Sequence, residues 1–204
     1  MENDEENLRN ELKRSGNFGI VLATSIILEK LFYFLSIYFY SLLLVVFFLT
    51  IVEAIAAIVL IVGFITIGQK LNNDFLFFGG IFSLIFGLIY VFAKTTSSPS
   101  TLVILIINIV ANLVFAIGIL KLREFFGNIS FISGFIEMLK SFFLLLVVGL
   151  TAYRIIISEI VLNSITDILE LSAAILESII LINASKKAKD IMKKWKEEIQ
   201  KFQP

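Results

Sequence analysis

Long apolar runs broken by short polar punctuation dominate the chain. After a polar opening, MENDEENLRNELKRSGN, residues 18–68 are almost unbroken hydrocarbon. That stretch accommodates two bilayer crossings of about 20 residues each with a tight turn between them. Tyr33, Tyr38 and Tyr40 fit an interfacial belt, which places the turn near residues 38–41. A five-span alternative makes residues 31–52 one crossing and lays residues 18–28 on the surface. Further on, QKLNND (residues 69–74) reads as a polar loop and residues 75–93 as a third span. KTTSSPS (residues 94–100) is a loop by its Pro99 and serine turn chemistry. Residues 101–120 form a fourth span that ends at residues 121–124. Residues 125–134, with Gly127, Asn128 and Gly134, are expected at the interface before a fifth span at 135–157. A sixth runs over 159–183. Every span is read as helix, because a helix satisfies its own backbone hydrogen bonds in hydrocarbon.

The ends carry a different pattern. In residues 1–17, Glu5 and Arg9 are four apart, as are Leu8 and Leu12, so each pair shares a helix face. Ser15, Gly16 and Asn17 are expected to end that helix. In residues 185–204, Ala188, Ile191, Trp195, Ile199 and Phe202 recur at three- or four-residue steps, with lysines on the other faces. This tail either extends the sixth span or forms an amphipathic helix. As a separate helix it lies on the inner leaflet or meets the oppositely charged N-terminal helix. The expected fold class is therefore all-α: a polytopic transmembrane bundle of about six spans (residues 18–184) between short cytoplasmic amphipathic helices (1–17 and 185–204).

Composition narrows the chemistry. Hydrophobic residues make up 58% and charged residues 17%, where a soluble domain has roughly 45–50% and about 25%. A soluble globular fold and disorder are excluded on those grounds. The chain has 0 Cys and 0 His, which removes disulfides, thiolates, an imidazole base, haem-ligating His and the usual zinc and iron–sulfur ligand sets. A paired-aspartate intramembrane protease needs two Asp at membrane depth, and Asp167 stands alone there. No GxxxxGK[ST] phosphate loop is present. No enzymatic activity and no cofactor are expected.

The net charge of 0 conceals −2 over residues 1–17, −2 over 18–184 and +4 over 185–204. Nothing in this resembles a nucleic-acid patch, whereas the basic tail suits anionic lipid head groups. With six spans, Arg9, Lys13, Arg14, Lys70, Lys121, Arg123 and the tail lysines share one side, and Lys94 and Arg154 the other. Positive charge accumulates in the cytoplasm, so both termini are expected there, in a plasma membrane.

Ionisable groups at membrane depth are costly and are read first as functional. Span six concentrates them. At about 100° per residue, Glu159, Asn163, Asp167, Glu170 and Glu177 fall within an arc of about 80°, with aliphatic residues on the other faces. Such a face lines a cavity or meets a partner helix. Glu29, Lys30, Glu53, Lys140 and Arg154 are candidate intramembrane pairing partners, with Lys30 a match for an acid of span six. Glu137 and Lys140 are a self-neutralising i,i+3 pair, expected with Arg154 to reach toward head groups from the ends of span five. A short repeat also appears: EAIAAIVLIVG from Glu53, NIVANLVFAIG from Asn108 and ELSAAILESII from Glu170. It fits either a tripled helical hairpin or a shared need for a small packing face.

Residues 52–86, VEAIAAIVLIVGFITIGQKLNNDFLFFGGIFSLIF, resemble a family of archaeal multi-span membrane proteins described only as a domain of unknown function. The resemblance implies a prokaryotic plasma membrane and carries over no activity and no site. The expected function is a non-enzymatic scaffold or accessory subunit, its partners being the bilayer and other membrane subunits or further copies of itself. The alternative is a small cation- or proton-coupled transporter or channel that uses the acidic face of the last span. The two differ in what that face meets.

Overall fold

The computed structural model describes residues 2–36, 38–94, 100–152 and 156–201; within these, the side chains of 2, 90–94, 100, 101, 149–152, 156–161 and 163 are left aside. The described residues are helical, with no strand among them. The helices are α1 (Glu2–Ser36), α2 (Leu43–Lys70), α3 (Asp74–Lys94), α4 (Ser100–Lys121), α5 (Arg123–Phe126), α6 (Asn128–Ala152), α7 (Ile156–Lys186) and α8 (Ala188–Lys201), with a 3₁₀ turn at Tyr40–Leu42. The 3₁₀ turn separates α1 from α2 where the tyrosines mark it, without glycine or proline. Among the described residues four stretches are long and apolar enough to cross a membrane: Asn3–Ser36, Tyr40–Lys70, Leu102–Lys121 and Asn128–Val148. Asp74–Ile89 of α3 is apolar but shorter.

The six long helices close into a ring. α1 packs on α2, α2 on α3, α3 on α4, α4 on α6, α6 on α7, and α7 returns to α1. Neighbours run antiparallel, so the described ends of the chain share one end of the ring, where Leu8 and Leu12 join Ile191 and Met192 in one buried cluster. Outward faces stay apolar: Ile27, Phe47, Phe82, Val110 and Phe142 are all exposed. Contiguous exposed hydrocarbon on this scale suits lipid, not water.

Two expected boundaries move, for one physical reason. Ser15, Gly16 and Asn17 do not end a helix; α1 is continuous through them. A Cβ on Gly16 would lie 2.7 Å from Ile182, and one on Gly63 would lie 2.6 Å from Ser15. These small residues let α1 approach α7 and α2 closely, so they serve packing, not turning. Likewise α6 begins at Asn128, seven residues before the expected start of span five. Gly134 lies inside that helix, where a Cβ would lie 2.7 Å from Leu120 of α4. The turn residue here is Gly127, with φ of 67°, a left-handed conformation that glycine adopts freely.

The tail departs from α7 at Lys187 and folds back over the end of the ring. Ala188, Ile191 and Met192 of α8 are buried, and α8 packs on α1, α2 and α7. Trp195 takes the Lys70 ammonium at 3.4 Å from its ring centroid, and Lys187 Nζ donates to the Phe125 carbonyl at 2.6 Å. The apolar face of α8 is thus occupied by the protein itself, with its lysines left outward. Ile191→Asp, which buries a charge among hydrocarbon, is expected to release α8. The measurement is tryptic cleavage after Lys187 and Lys189, at least fivefold faster than in wild type; unchanged cleavage would show that α8 does not depend on this contact.

Candidate functional site: a polar interior shared by six helices

Inside the ring lies a cavity of about 140 Å³, and each of the six long helices contributes to its wall. α1 supplies Leu22, α2 supplies Ala57, Leu60 and Ile61, and α3 supplies Ser83. α4 supplies Asn112 and Phe115, α6 supplies Glu137 and Lys140, and α7 supplies Glu170, Ala174 and Glu177.

The three repeated segments supply eight of the twelve wall residues. They fall on α2, α4 and α7, the second helix of each hairpin in the ring. Four residues after the first polar position stand Ala57, Asn112 and Ala174, and seven after it Leu60, Phe115 and Glu177. All six line the cavity. One turn farther from the chain ends are the first positions themselves, Glu53, Asn108 and Glu170. Oε1 of Glu53 and Oδ1 of Asn108 are buried without a hydrogen-bond partner among the described residues. Sequence-equivalent positions thus build successive layers around one axis. In the Leu60–Phe115–Glu177 layer two hairpins place hydrocarbon and the third a carboxylate.

Charge in the cavity is incompletely matched. Lys140 Nζ contacts Glu137 Oε1 at 2.7 Å. Glu137 is buried at 5% exposure and Lys140 mostly so at 16%, so the pair does not reach head groups as expected. The longer α6 moves it from the first turns of the helix to the third and fourth. Glu177 is buried, at 4% exposure, and its Oε1 has no hydrogen-bond partner among the described residues. Ser83 Oγ, 5% exposed on the facing wall, has none either. A buried polar atom left unpaired costs about 1–3 kcal/mol, more when charged, and such atoms are few in native structures. Sequence reading missed Ser83 and Asn112 as site residues, because one serine or asparagine in a span ordinarily serves helix packing. The signal for Asn112 lay in its repeat position.

A second charged group lies toward the far end. Lys30 Nζ reaches Asp167 Oδ2 at 3.1 Å, the expected match to an acid of span six, and also Glu29 Oε2 at 3.4 Å. Adjacent helical residues point about 100° apart, but the lysine stem is long enough to fold back onto Glu29. Thr50 Oγ1 donates to the other Glu29 oxygen at 3.4 Å. Glu53 interacts electrostatically with Glu29, Lys30 and Asp167 on one side and with Glu170 on the other. Glu170, exposed at the cavity margin, in turn acts on Lys140 and Glu177. The ionisable groups therefore form a sequence from Asp167 and Lys30, through Glu53 and Glu170, to Lys140 and Glu177. Arg154 and the side chains of Glu159 and Asn163 lie outside the described residues.

Beyond Glu177, toward the chain ends, the cavity meets packed hydrocarbon. Phe64 and Phe115 stack edge to face with centroids 5.5 Å apart, and Ile67, Ile119 and Leu181 are fully buried behind them. The cavity thus ends in hydrocarbon on the side of the lysine-rich ring end. Among the described residues no group of three or more carboxylates is placed to hold a metal ion. No protein-family model, curated protein or solved structure matches this chain.

Proposed function

We propose that the chain is a multi-pass plasma-membrane protein whose six long helices all cross the bilayer, with both termini cytoplasmic, and that its interior conducts or carries a small cation or proton. One observation carries this reading: the buried carboxylate of Glu177, whose Oε1 has no hydrogen-bond partner among the described residues, faces a cavity walled by six helices. An acid that serves a partner subunit would be exposed, as Asp167 is, whereas Glu177 is buried. Organic ligands occupy pockets of roughly 300–1,000 Å³, and a cavity of about 140 Å³ is too small for them. It has room for several waters, each needing roughly 10–15 Å³. The hydrocarbon plug at Phe64 and Phe115 would then be the closed cytoplasmic gate.

The test is flux in proteoliposomes under imposed proton, sodium or potassium gradients. Wild type is expected to dissipate at least one gradient, and Glu177→Gln to bring flux to the level of empty liposomes while eluting as wild type in detergent. Absence of wild-type flux for all three cations would defeat the transport reading.

A scaffold or accessory role retains one specific observation. Lys30 and Asp167 are 51% and 40% exposed between α1 and α7, at a level where Ile27, Leu31 and Ile168 are exposed hydrocarbon. A polar helix of another subunit would cover them. Native mass measurement in mild detergent distinguishes the two: a stoichiometric second chain lost on Asp167→Asn supports assembly.

A further inference from the structure

Deepening the transport reading, on which it rests, we infer that the interior takes a single positive charge at a time, bound on Glu177, with Lys140 as a built-in counter-cation that sets the number to one. Three buried ionisable side chains face the cavity: Glu137, Lys140 and Glu177. Their formal sum is −1. The wall residues from α1 to α4 carry no charge. Glu170 of α7 acts on the same groups from the exposed cavity margin and is not one of the buried set.

The geometry apportions that charge. Lys140 is committed to Glu137 at 2.7 Å, which leaves Glu177 with a buried oxygen, Oε1, that has no hydrogen-bond partner among the described residues. Its free Oε1 and the free Ser83 Oγ are buried oxygens on one cavity wall or another, with no donor satisfying them. Oxygen ligands of this kind suit a hard cation or a proton. A divalent ion would find one free carboxylate where its charge asks for two. A monovalent ion or proton brings the buried set to neutrality, the condition under which burial of charge is least costly. Without Lys140 the same walls would carry −2 and would hold a cation more tightly, because the attraction grows with each unbalanced charge in a poorly screened interior.

A hydrophobic carbodiimide, which modifies buried protonated carboxyls, tests this without requiring flux. The purified full-length protein in detergent is labelled across a range of pH and of sodium and potassium concentrations, and Glu177 modification is read by peptide mass. Labelling that rises with proton concentration and falls with added sodium or potassium identifies a metal cation competing with the proton. Labelling that responds to pH alone identifies the proton. Either outcome supports single-charge binding. Labelling at Glu177 that is absent, or indifferent to pH and to both metals, overturns it.

The charge count is tested by two variants. Lys140→Gln is expected to lower the cation or proton concentration giving half effect at least tenfold. The double variant Glu137→Gln/Lys140→Gln restores −1 and is expected to stay within threefold of wild type, and it remains informative if the single variant does not fold. A double variant that shifts tenfold overturns the counting argument. Responsive labelling without any flux in liposomes would instead retain the binding site and discard transport.

Discussion

Gly118→Leu is expected to prevent the ring from closing. α3 and α4 meet backbone to backbone through two reciprocal glycines. A Cβ on Gly79 of α3 would lie 2.5 Å from the Phe115 nitrogen, and one on Gly118 of α4 would lie 2.5 Å from the Leu76 Cα. Backbone atoms on the facing helix cannot rotate away as a side chain can, so the helices must separate. Separation also breaks the bond from Asn73 Nδ2 to the Gly118 carbonyl, 2.8 Å long, which fixes the turn between α2 and α3. Phe115 would leave its packing on Phe64. Several of the mechanisms behind costs above about 4 kcal/mol coincide here. The expected result is loss of the monodisperse species by size-exclusion chromatography in detergent. Gly87→Ala is the matched control, because the nearest atom to a Cβ there is Asn108 Oδ1 at 3.8 Å. Equal elution and melting temperature for Gly118→Leu and wild type would refute this account of the α3–α4 contact.

Those glycines also explain where the chain could be read directly and where it could not. Hydropathy located the helical regions because each outward face must match hydrocarbon over its whole length. The break near residue 40 was legible from its tyrosines. Glycine within an apolar run is ambiguous, since the residue that permits a turn also permits a close helix crossing. Gly16 and Gly134 are crossings, Gly127 is a turn, and only the neighbour across the gap decides. The misplaced start of α6 then misplaced Glu137 and Lys140, moving a buried pair to a supposed interface. The acidic face of α7 was legible because helical periodicity depends on one chain segment alone. Whether it met lipid, partner or cavity depended on ring closure by α1 against α7, a contact between the two sequence extremes. The repeat carried more than its shortness suggested. Its positions predict which residues of α2, α4 and α7 share a layer, and it singles out Glu177 as the place where that layer departs from hydrocarbon.

That departure yields opposite expectations for two carboxylates that line the same cavity. Glu137→Gln removes the partner of the buried Lys140 ammonium, 2.7 Å away. Removing one member of a buried pair costs about 3–5 kcal/mol; the lower figure is expected here, because Glu170 and Glu177 still attract Lys140. Glu177→Gln removes a carboxylate that has no hydrogen-bond partner at Oε1, while Lys140 keeps Glu137. It is expected to leave the melting temperature in detergent equal to wild type or higher, in keeping with the trade-off in which functional groups are held at a cost in stability. A residue retained for packing would behave as Glu137 does, losing stability and function together. A residue retained for binding gives up function alone. Parallel thermal melts of the two variants decide the matter: if both fall by several degrees, Glu177 is a structural group and the site must be sought elsewhere.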